Sequence, residues 1–365
     1  MKNKTHEIRQ KFVGCLLGGA VGDALGAPVE FMTHVEIVSK FGESGITEYV
    51  PCYGGIGRIT DDTQMVLFTA EGLLRGHVRG ARRGICHIAS VISSAYERWL
   101  YTQGYRSRME TGEDWLTSGW LAGHAELQNQ RAPGRTCISA LRSMERYGAS
   151  AKNNSKGCGG LMRVAPCGLF IWPSTTGSDA FHLGMQAASI THGHPSGYLT
   201  AGVLSELILH LINGKGLRDS LGKVKEALVA YEGHEETLDA LEKAEALADI
   251  SSNHFEAISK LGQGWVAEEA LSIAVYCALV AKDLRHGVCL AVNHDGDSDS
   301  TGAIAGNLLG AMMGVSAIPE SWLEPLELRD VITEMAEDLV DSNEWDLDDF
   351  GGLDNDWVWK KYPGY

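Results

Sequence analysis

"GCLLGGAVGDALGAP", residues 14 to 28, threads glycine through an otherwise apolar run. Glycine inside a helix normally costs stability, about 1 kcal/mol relative to alanine. Small residues on a helix face do something alanine and leucine cannot: they let a neighbouring helix come close. "GAIAGNLLGAMMG", residues 302 to 314, has the same character. Both stretches are read as tightly packed helices near an active centre, and on that reading the fold is helical.

The rest of the chain agrees. "LSELILHLINGKG" (204–216) places Leu204, Leu207, Ile208, Leu211 and Ile212 on one helical face and stops at Asn213-Gly214. "WVAEEALSIAVYCALVAK" (265–282) reads as a long, mostly buried helix. "TLDALEKAEALADI" (237–250) and "RDVITEMAEDLVD" (329–341) read as further helices. Convincing alternating strands are few, and no solenoid repeat, low-complexity linker or domain boundary is visible. The expectation is one compact all-α domain over residues 1–365. Its core runs from about 12 to 340, and an acidic, aromatic tail, 341–365, packs across the surface.

Composition narrows the function classes. The chain has 365 residues, 44% hydrophobic and 21% charged, enough to bury a large core. A net charge of -16 argues against a general nucleic-acid binder, which needs clustered Lys and Arg. The uncharged stretch from Gly302 to Ile318 is short for a membrane span and carries Asn307, so a buried core helix is expected there. Eight scattered cysteines without a CxxC pair read as free thiols. The polar start, "MKNKTHEIRQKF", lacks a signal-peptide core, and the protein is expected in the cytoplasm, with no membrane partner.

Two acidic clusters carry the chemistry. In "GRITDDTQMV" (57–66), Thr60 is a good N-cap, and aspartate in a first helical turn suits the helix dipole. Capping alone explains this stretch if it is taken in isolation. "VNHDGDSDSTGAIAGNLLG" (292–310) is harder to explain by capping. One helix start needs one cap, whereas Asp295, Asp297 and Asp299 supply three carboxylates whose repulsion calls for a cation or solvent. Oxygen ligands of this kind suit Mg²⁺, Mn²⁺ or Ca²⁺ rather than zinc. An EF-hand is excluded, because its sixth and twelfth positions would fall on Ser300 and Gly306. Acidic clusters at two helix starts are what a two-metal site needs, with cations roughly 3.5–4 Å apart. Asp61, Asp62, Asp297 and Asp299, with Thr60 and Ser300, could supply it.

With both clusters in view, the sequence resembles the ADP-ribosylglycohydrolase family. The match is carried in order by "GCLLGGAVGDALGAPVEF" (14–31), "GRITDDTQM" (57–65), "GCGGLMRVAPCGL" (157–169) and "HDGDSDSTGAIAG" (294–306). "SITHGHPSGY" (189–198) and "GQGWVAEEAL" (262–271) also look like family segments, and the similarity runs from about Gly14 to about Leu339. The resemblance implies an all-α fold around two divalent cations, Mg²⁺ or Mn²⁺. It implies hydrolytic removal of ADP-ribose from modified protein, with an ADP-ribosylated protein as partner and ADP-ribose as product. Arginine is the favoured linkage, with serine or another linkage as the alternative, and a cognate ADP-ribosyltransferase is a further partner it allows.

Residue by residue, the resemblance implies metal ligands at Thr60, Asp61, Asp62, Asp297, Asp299 and Ser300. Asp295 lies where many relatives have glycine and is not expected to be a ligand. Glu30 matches an acidic residue near the metals, and Glu30 or Asp62 is expected to handle the proton or steer the water. Without the resemblance, Glu30 reads as a surface or salt-bridged carboxylate. Asp23 is expected to cap or hydrogen-bond a neighbouring helix. Gly157, Gly159 and Gly160 would let the backbone approach ADP-ribose and bind phosphate. Arg163 pairs with the diphosphate or anchors its helix by an internal ion pair. His192 is expected by the ribose or phosphate. Gly262, Gly264 and Trp265 resemble another substrate-facing loop, in which Trp265 stacks a ring or is core. Three competing functions remain: an immunity module that blocks an ADP-ribosylating toxin by contact, a metal-dependent phosphohydrolase, and a crystallin-like structural role, disfavoured by the intact ligand set.

Overall fold

The computed structural model describes residues 2–174, 176–347 and 356–364, and it is helical almost throughout. Among the described residues the only β pairing is two isolated bridges, Cys52 with Gly55 and Gly157 with Val266. The helices that position the site are α1 (Lys2–Gly26), α2 (Asp61–Arg83), α3 (Ile88–Thr102), α4 (Ala165–Ile171) and α5 (Gly177–Ser189). They continue as α6 (Pro195–Ile212), α7 (Ala267–Val280), α8 (Leu284–Val292), α9 (Ser298–Met313) and α10 (Arg329–Asp341).

The glycine stretches of α1 and α9 face each other. The pairs run antiparallel, Gly14 beside Gly310, Gly18 beside Gly306, Gly22 beside Gly302 and Gly26 beside Ser298. A methyl group added at Gly302 would sit 2.6 Å from the Gly22 carbonyl oxygen, and one at Gly14 would sit 2.7 Å from that of Gly310. At Gly306 it would fall on the Gly18 carbonyl itself. The helix propensity that alanine would add is therefore outweighed by backbone overlap that no rotamer can relieve. Asn307, the polar residue in this seam, donates from Nδ2 to the Cys15 carbonyl at 2.7 Å, which ties α9 to α1 in one register.

Around that pair, α7 and α8 pack on α9, α2 pairs with α3, and α4, α5 and α6 form a cluster that reaches α9 through α6. The segment Thr5–Val29 is long and apolar enough to cross a membrane, but 94% of its apolar window is buried inside the protein. Helix α6 opens on Pro195 and ends at Asn213, with Gly214 in the left-handed region at φ 82°, where glycine is favoured. All eight cysteines are free. At the C-terminal end, Tyr362 donates to Asp338 on α10, and Arg75 of α2 donates from Nε to the Pro363 carbonyl at 3.0 Å. Residues 348–355 and 365 of the expected tail lie outside the described residues.

Candidate metal centre

The seam delivers the end of α1 to the start of α9. Beyond Gly26 a 3-10 turn, Ala27–Val29, leads straight into Glu30. A methyl at Gly26 would lie 2.6 Å from the Asp299 Cα, so close packing is what brings Glu30 over the second acidic cluster.

The start of α2 is capped twice. Thr60 is the N-cap, and its hydroxyl accepts from the Asp62 N–H at 3.2 Å. Asp23, one residue past Gly22 in the seam, accepts from the Thr60 N–H at 3.0 and 3.1 Å, from the Thr63 N–H at 3.1 Å, and from the Thr63 hydroxyl. Burial raises its carboxyl to about 6 against the pull of those donors. With Asp23 and Thr60 doing the capping, Asp61 and Asp62 are left for something else. Asp61 accepts one bond, from the Gly134 N–H at 3.1 Å. The Oδ2 of Asp62 is buried with no partner.

The two clusters meet where Asp62 of the first faces Asp297, Asp299 and the Ser300 hydroxyl of the second. Carboxylate oxygens of Glu30, Asp297 and Asp299 lie within 4.8 Å of one another, all three residues buried. Burial is the main reason these acids resist ionisation, and their mutual repulsion adds to it. Glu30 is pushed up to about 8 by burial, then by Asp297, Asp61 and Asp23. Asp61 is pushed to about 8 by burial, with Asp23 and Asp297 adding to it. Asp62 and Asp299 are raised well above the carboxylate range by burial, then by their acidic neighbours, Asp61 foremost for Asp62 and Asp62 foremost for Asp299. Glu30 is neither on the surface nor salt-bridged: it is buried, and its Oε2 has no hydrogen-bond partner. Orphaned, buried carboxylate oxygens aimed into one oxygen-rich pocket fit a divalent cation, because its charge would relieve both the burial and the repulsion.

Neighbouring residues have other tasks. Asp295 turns away and accepts from the His34 N–H at 2.6 Å, which starts a separate helix. Thr301, next to Ser300, is committed to the core through His294 Nε2 at 2.8 Å and the Ala291 carbonyl at 2.7 Å. Gly264, at φ 83°, is pressed between Thr301 and Asp297, a place for glycine alone. Gly262, at φ 129°, opens the same loop, and the Gln263 carbonyl accepts from the Asp297 N–H at 2.8 Å. The 262–265 loop thus sets Asp297 from the backbone side.

Trp265 is not core. It is 38% exposed and stacks on Phe31, itself 77% exposed, with ring centroids 5.7 Å apart. Arg163 requires a correction. Its guanidinium is fully buried and points inward, donating to the Gly159 carbonyl at 3.0 Å, the Ala187 carbonyl at 3.1 Å and the Thr191 hydroxyl at 2.7 Å, with the Tyr96 ring 4.3 Å away. It anchors the glycine turn from inside through carbonyls and a hydroxyl, and in this position it does not reach a diphosphate. His192 is also buried, beneath that turn. Its Nδ1 pairs with the Thr191 hydroxyl at 2.8 Å, and burial, then Arg163, lowers it to about 3, so it is neutral. Methyl groups at Gly159 and Gly160 would press on Cys137 and His192 at 3.0 Å, so interior packing already requires those two glycines. A methyl at Gly157 would meet His192 at an ordinary 3.4 Å.

Sequence reasoning passes over Cys158. Its Sγ lies 2.7 Å from Asp297 Oδ2 and 3.6 Å from the Ser300 hydroxyl. A signal exists, since Cys158 stands inside the glycine motif. Gly134 and Arg131, whose carbonyl accepts from the Asp61 N–H at 3.0 Å, carry no local signal.

An all-helical body with a buried carboxylate pocket built from two helix starts is thus the class of protein that fold and site define. The family model for ADP-ribosylglycohydrolase matches residues 4–348. The ADP-ribosyl-[dinitrogen reductase] glycohydrolase of Rhodospirillum rubrum is 27% identical over 332 residues, 88% of this chain and 92% of that one. The ADP-ribosylhydrolase ARH3 of Homo sapiens is 27% identical over 353 residues, 87% of this chain and 89% of that one. The ADP-ribosylarginine hydrolase Tri1 of Serratia proteamaculans is 25% identical over 338 residues, 91% of this chain and 80% of that one. A solved structure described as an ADP-ribosylglycohydrolase-related protein complex superposes with a TM-score of 0.66 at 26% identity, covering 92% of this chain and 99% of that one. The chain belongs to the ADP-ribosylglycohydrolase family. It is an enzyme of that type, a hydrolase that removes ADP-ribose.

Proposed function

We propose that the protein hydrolyses the N-glycosidic bond between ADP-ribose and a modified arginine, at a centre of two divalent cations, Mg²⁺ or Mn²⁺. The observation that carries this reading is the convergence of Glu30, Asp297 and Asp299 within 4.8 Å, beside Asp61 and Asp62, with no ion pair to any of the five among the described residues. Thr60, Asp61, Asp62, Asp297, Asp299 and Ser300 would hold the cations. When bound, the cations supply a fixed positive charge that orients the ribose hydroxyls and water and offsets the carboxylates.

The chain's own residues do the rest. Glu30 lies against Asp297 and Asp299 with a carboxyl raised to about 8, and it holds or passes a proton at Oε2 near neutral pH. As the C–N bond lengthens and the anomeric carbon takes on oxocarbenium character, the bond electrons leave with the guanidine nitrogen, and Glu30 in its ionised form, which a bound cation would favour, accepts the proton of the attacking water. Asp62 steers the water from the opposite helix start. An acidic pocket favours a cationic leaving group, and the stacked Phe31–Trp265 pair gives its mouth a flat aromatic wall that suits a planar guanidinium. The similarity to Tri1, an ADP-ribosylarginine hydrolase, points the same way. The proposed location is the cytoplasm, on the strength of composition.

The test is product analysis with arginine- and serine-ADP-ribosylated proteins, in Mg²⁺, Mn²⁺ or chelator. The expected outcome is free ADP-ribose from the arginine substrate with either cation and none with chelator. Asp61→Ala with Asp297→Ala should lower the rate by roughly 10³-fold or more. Release of AMP and ribose phosphate would instead mark a diphosphate-cleaving enzyme, and protection from a transferase that survives the double change would mark a contact inhibitor.

A further inference from the structure

Cys158 is the one sulfhydryl among the pocket's oxygens. Its Sγ stands 2.7 Å from Asp297 Oδ2, closer than the usual 2.9–3.0 Å of an N–H···O bond despite the larger sulfur atom. The same sulfur is 3.6 Å from the Ser300 hydroxyl, and the Met162 thioether is 3.9 Å from that hydroxyl on another side. Cys158 is therefore set against two residues of the proposed ligand set.

The backbone holds it there. Its N–H donates to the Trp265 carbonyl at 3.2 Å, beside the Gly157–Val266 bridge, and the glycine turn that follows is anchored from below by Arg163. The other nearby thiol, Cys137, is engaged elsewhere: it faces the Arg163 guanidinium at 3.3 Å and the Gly159 carbonyl at 3.8 Å. The carboxylate cluster that Cys158 abuts through Asp297 has oxygens left open for a ligand. Asp62 Oδ2 and Glu30 Oε2 are buried without partners, in residues 3% and 8% exposed.

We propose that Cys158 Sγ is itself a ligand of the cation site, making it a mixed oxygen–sulfur centre that takes thiophilic divalent ions such as Zn²⁺, Cd²⁺ or Co²⁺ in competition with Mg²⁺ or Mn²⁺. Cys158 Sγ, Asp297 Oδ2 and the Ser300 hydroxyl would together offer a cation one sulfur and two oxygen donors. As the sulfur–cation bond forms, the thiol proton passes to the solvent. Soft sulfur in an otherwise hard site shifts preference toward softer ions, so Cys158 determines which metal the pocket retains. This inference rests on the cation-site reading given above, but not on the arginine linkage.

The full-length protein, stripped with chelator and titrated with Co²⁺, tests it without any turnover. The expected result is a sulfur-to-cobalt charge-transfer band that saturates with occupancy, is kept in Cys137→Ser and is lost in Cys158→Ser. Cd²⁺ affinity should fall on the order of tenfold or more in Cys158→Ser, while Mn²⁺ binding, followed by its paramagnetic resonance, is unchanged. Co²⁺ bound to the unaltered protein with no such band would overturn the proposal, however the variant folds, as would a band that persists in Cys158→Ser. If the unaltered protein binds neither Co²⁺ nor Mn²⁺, the cation site itself falls. If Mn²⁺ binds and the band is missing, only the sulfur ligand falls.

Discussion

Glu327 and Asp62 are both buried carboxylates, and both lie against the start of α2, yet the protein treats them in opposite ways. Glu327 accepts from Arg131 at 3.1 and 3.2 Å, from Arg58, and from the Ile59 N–H at 3.2 Å. Arg131 also donates to the Ile59 carbonyl at 3.2 Å, and its own carbonyl takes the Asp61 N–H. That carboxylate has its cations built into the chain. Asp62 has acidic neighbours, an orphaned oxygen, and no arginine or lysine among the described ion pairs. A fold that can pair one buried acid with two guanidiniums, and leaves a cluster of acids unpaired next to it, reserves the second place for a charge from outside.

The largest effect should come from breaking the self-sufficient region. Glu327→Gln leaves Arg131 buried without its counter-charge, and removing one partner of a buried pair costs about 3–5 kcal/mol. Denaturant unfolding should show that loss, and added Mn²⁺ should not restore it, since the proposed cation site lies elsewhere. A variant that Mn²⁺ rescues fully would mean that the two regions are one electrostatic unit and that the contrast is false.

The two regions also differ in how far the sequence discloses them. Thr60-Asp61-Asp62 and Asp297-Asp299-Ser300 are legible as acidic clusters because each is local, packed into one turn at a helix start. The seam is legible because glycine repeated through an apolar helix is costly unless another backbone needs the space. Glu327 is not legible, because its partners Arg131 and Arg58 lie 196 and 269 positions away. No spacing rule links such residues. Arg163 misleads for a related reason: a charged residue next to a glycine turn looks like a ligand until the tertiary structure shows which way it points. Asp23 is legible as a cap, but its four bonds to Thr60 and Thr63 need the seam to bring α1 and α2 together.

A second difference concerns pH. In the metal-free protein Glu30 and Asp61 hold their protons up to about 8, whereas the unfolded chain releases them near 4.5 and 3.8. Between those values the folded state binds more protons than the unfolded one, so stability falls as pH rises from about 4 to about 8, then levels off. Thermal unfolding in chelator should give a Tm that declines over this range. With Mg²⁺ or Mn²⁺ the decline should shrink, and the cation-induced gain should be larger at pH 8 than at pH 5. A gain of equal size at both values would show that the carboxylates are ionised before the cation arrives.

The smallest effect is the sharpest, because its sign separates the regions. Asp62→Asn removes a charge from a site where burial and Asp61 already oppose it, and the amide has nearly the same shape. In chelator the variant should be as stable as the parent or more so, by about 1 kcal/mol. The same change should abolish the Tm increase on adding Mn²⁺, because the amide brings no charge to the cation. Loss of stability in chelator would mean that the chain supplies Asp62 with more than the Ser300 hydroxyl. The pocket would then resemble the Glu327 network, an internally balanced cluster rather than a reserved place. A gain without cation, together with loss of the cation response, can arise only where the folded protein tolerates crowded carboxylates for the sake of what binds between them.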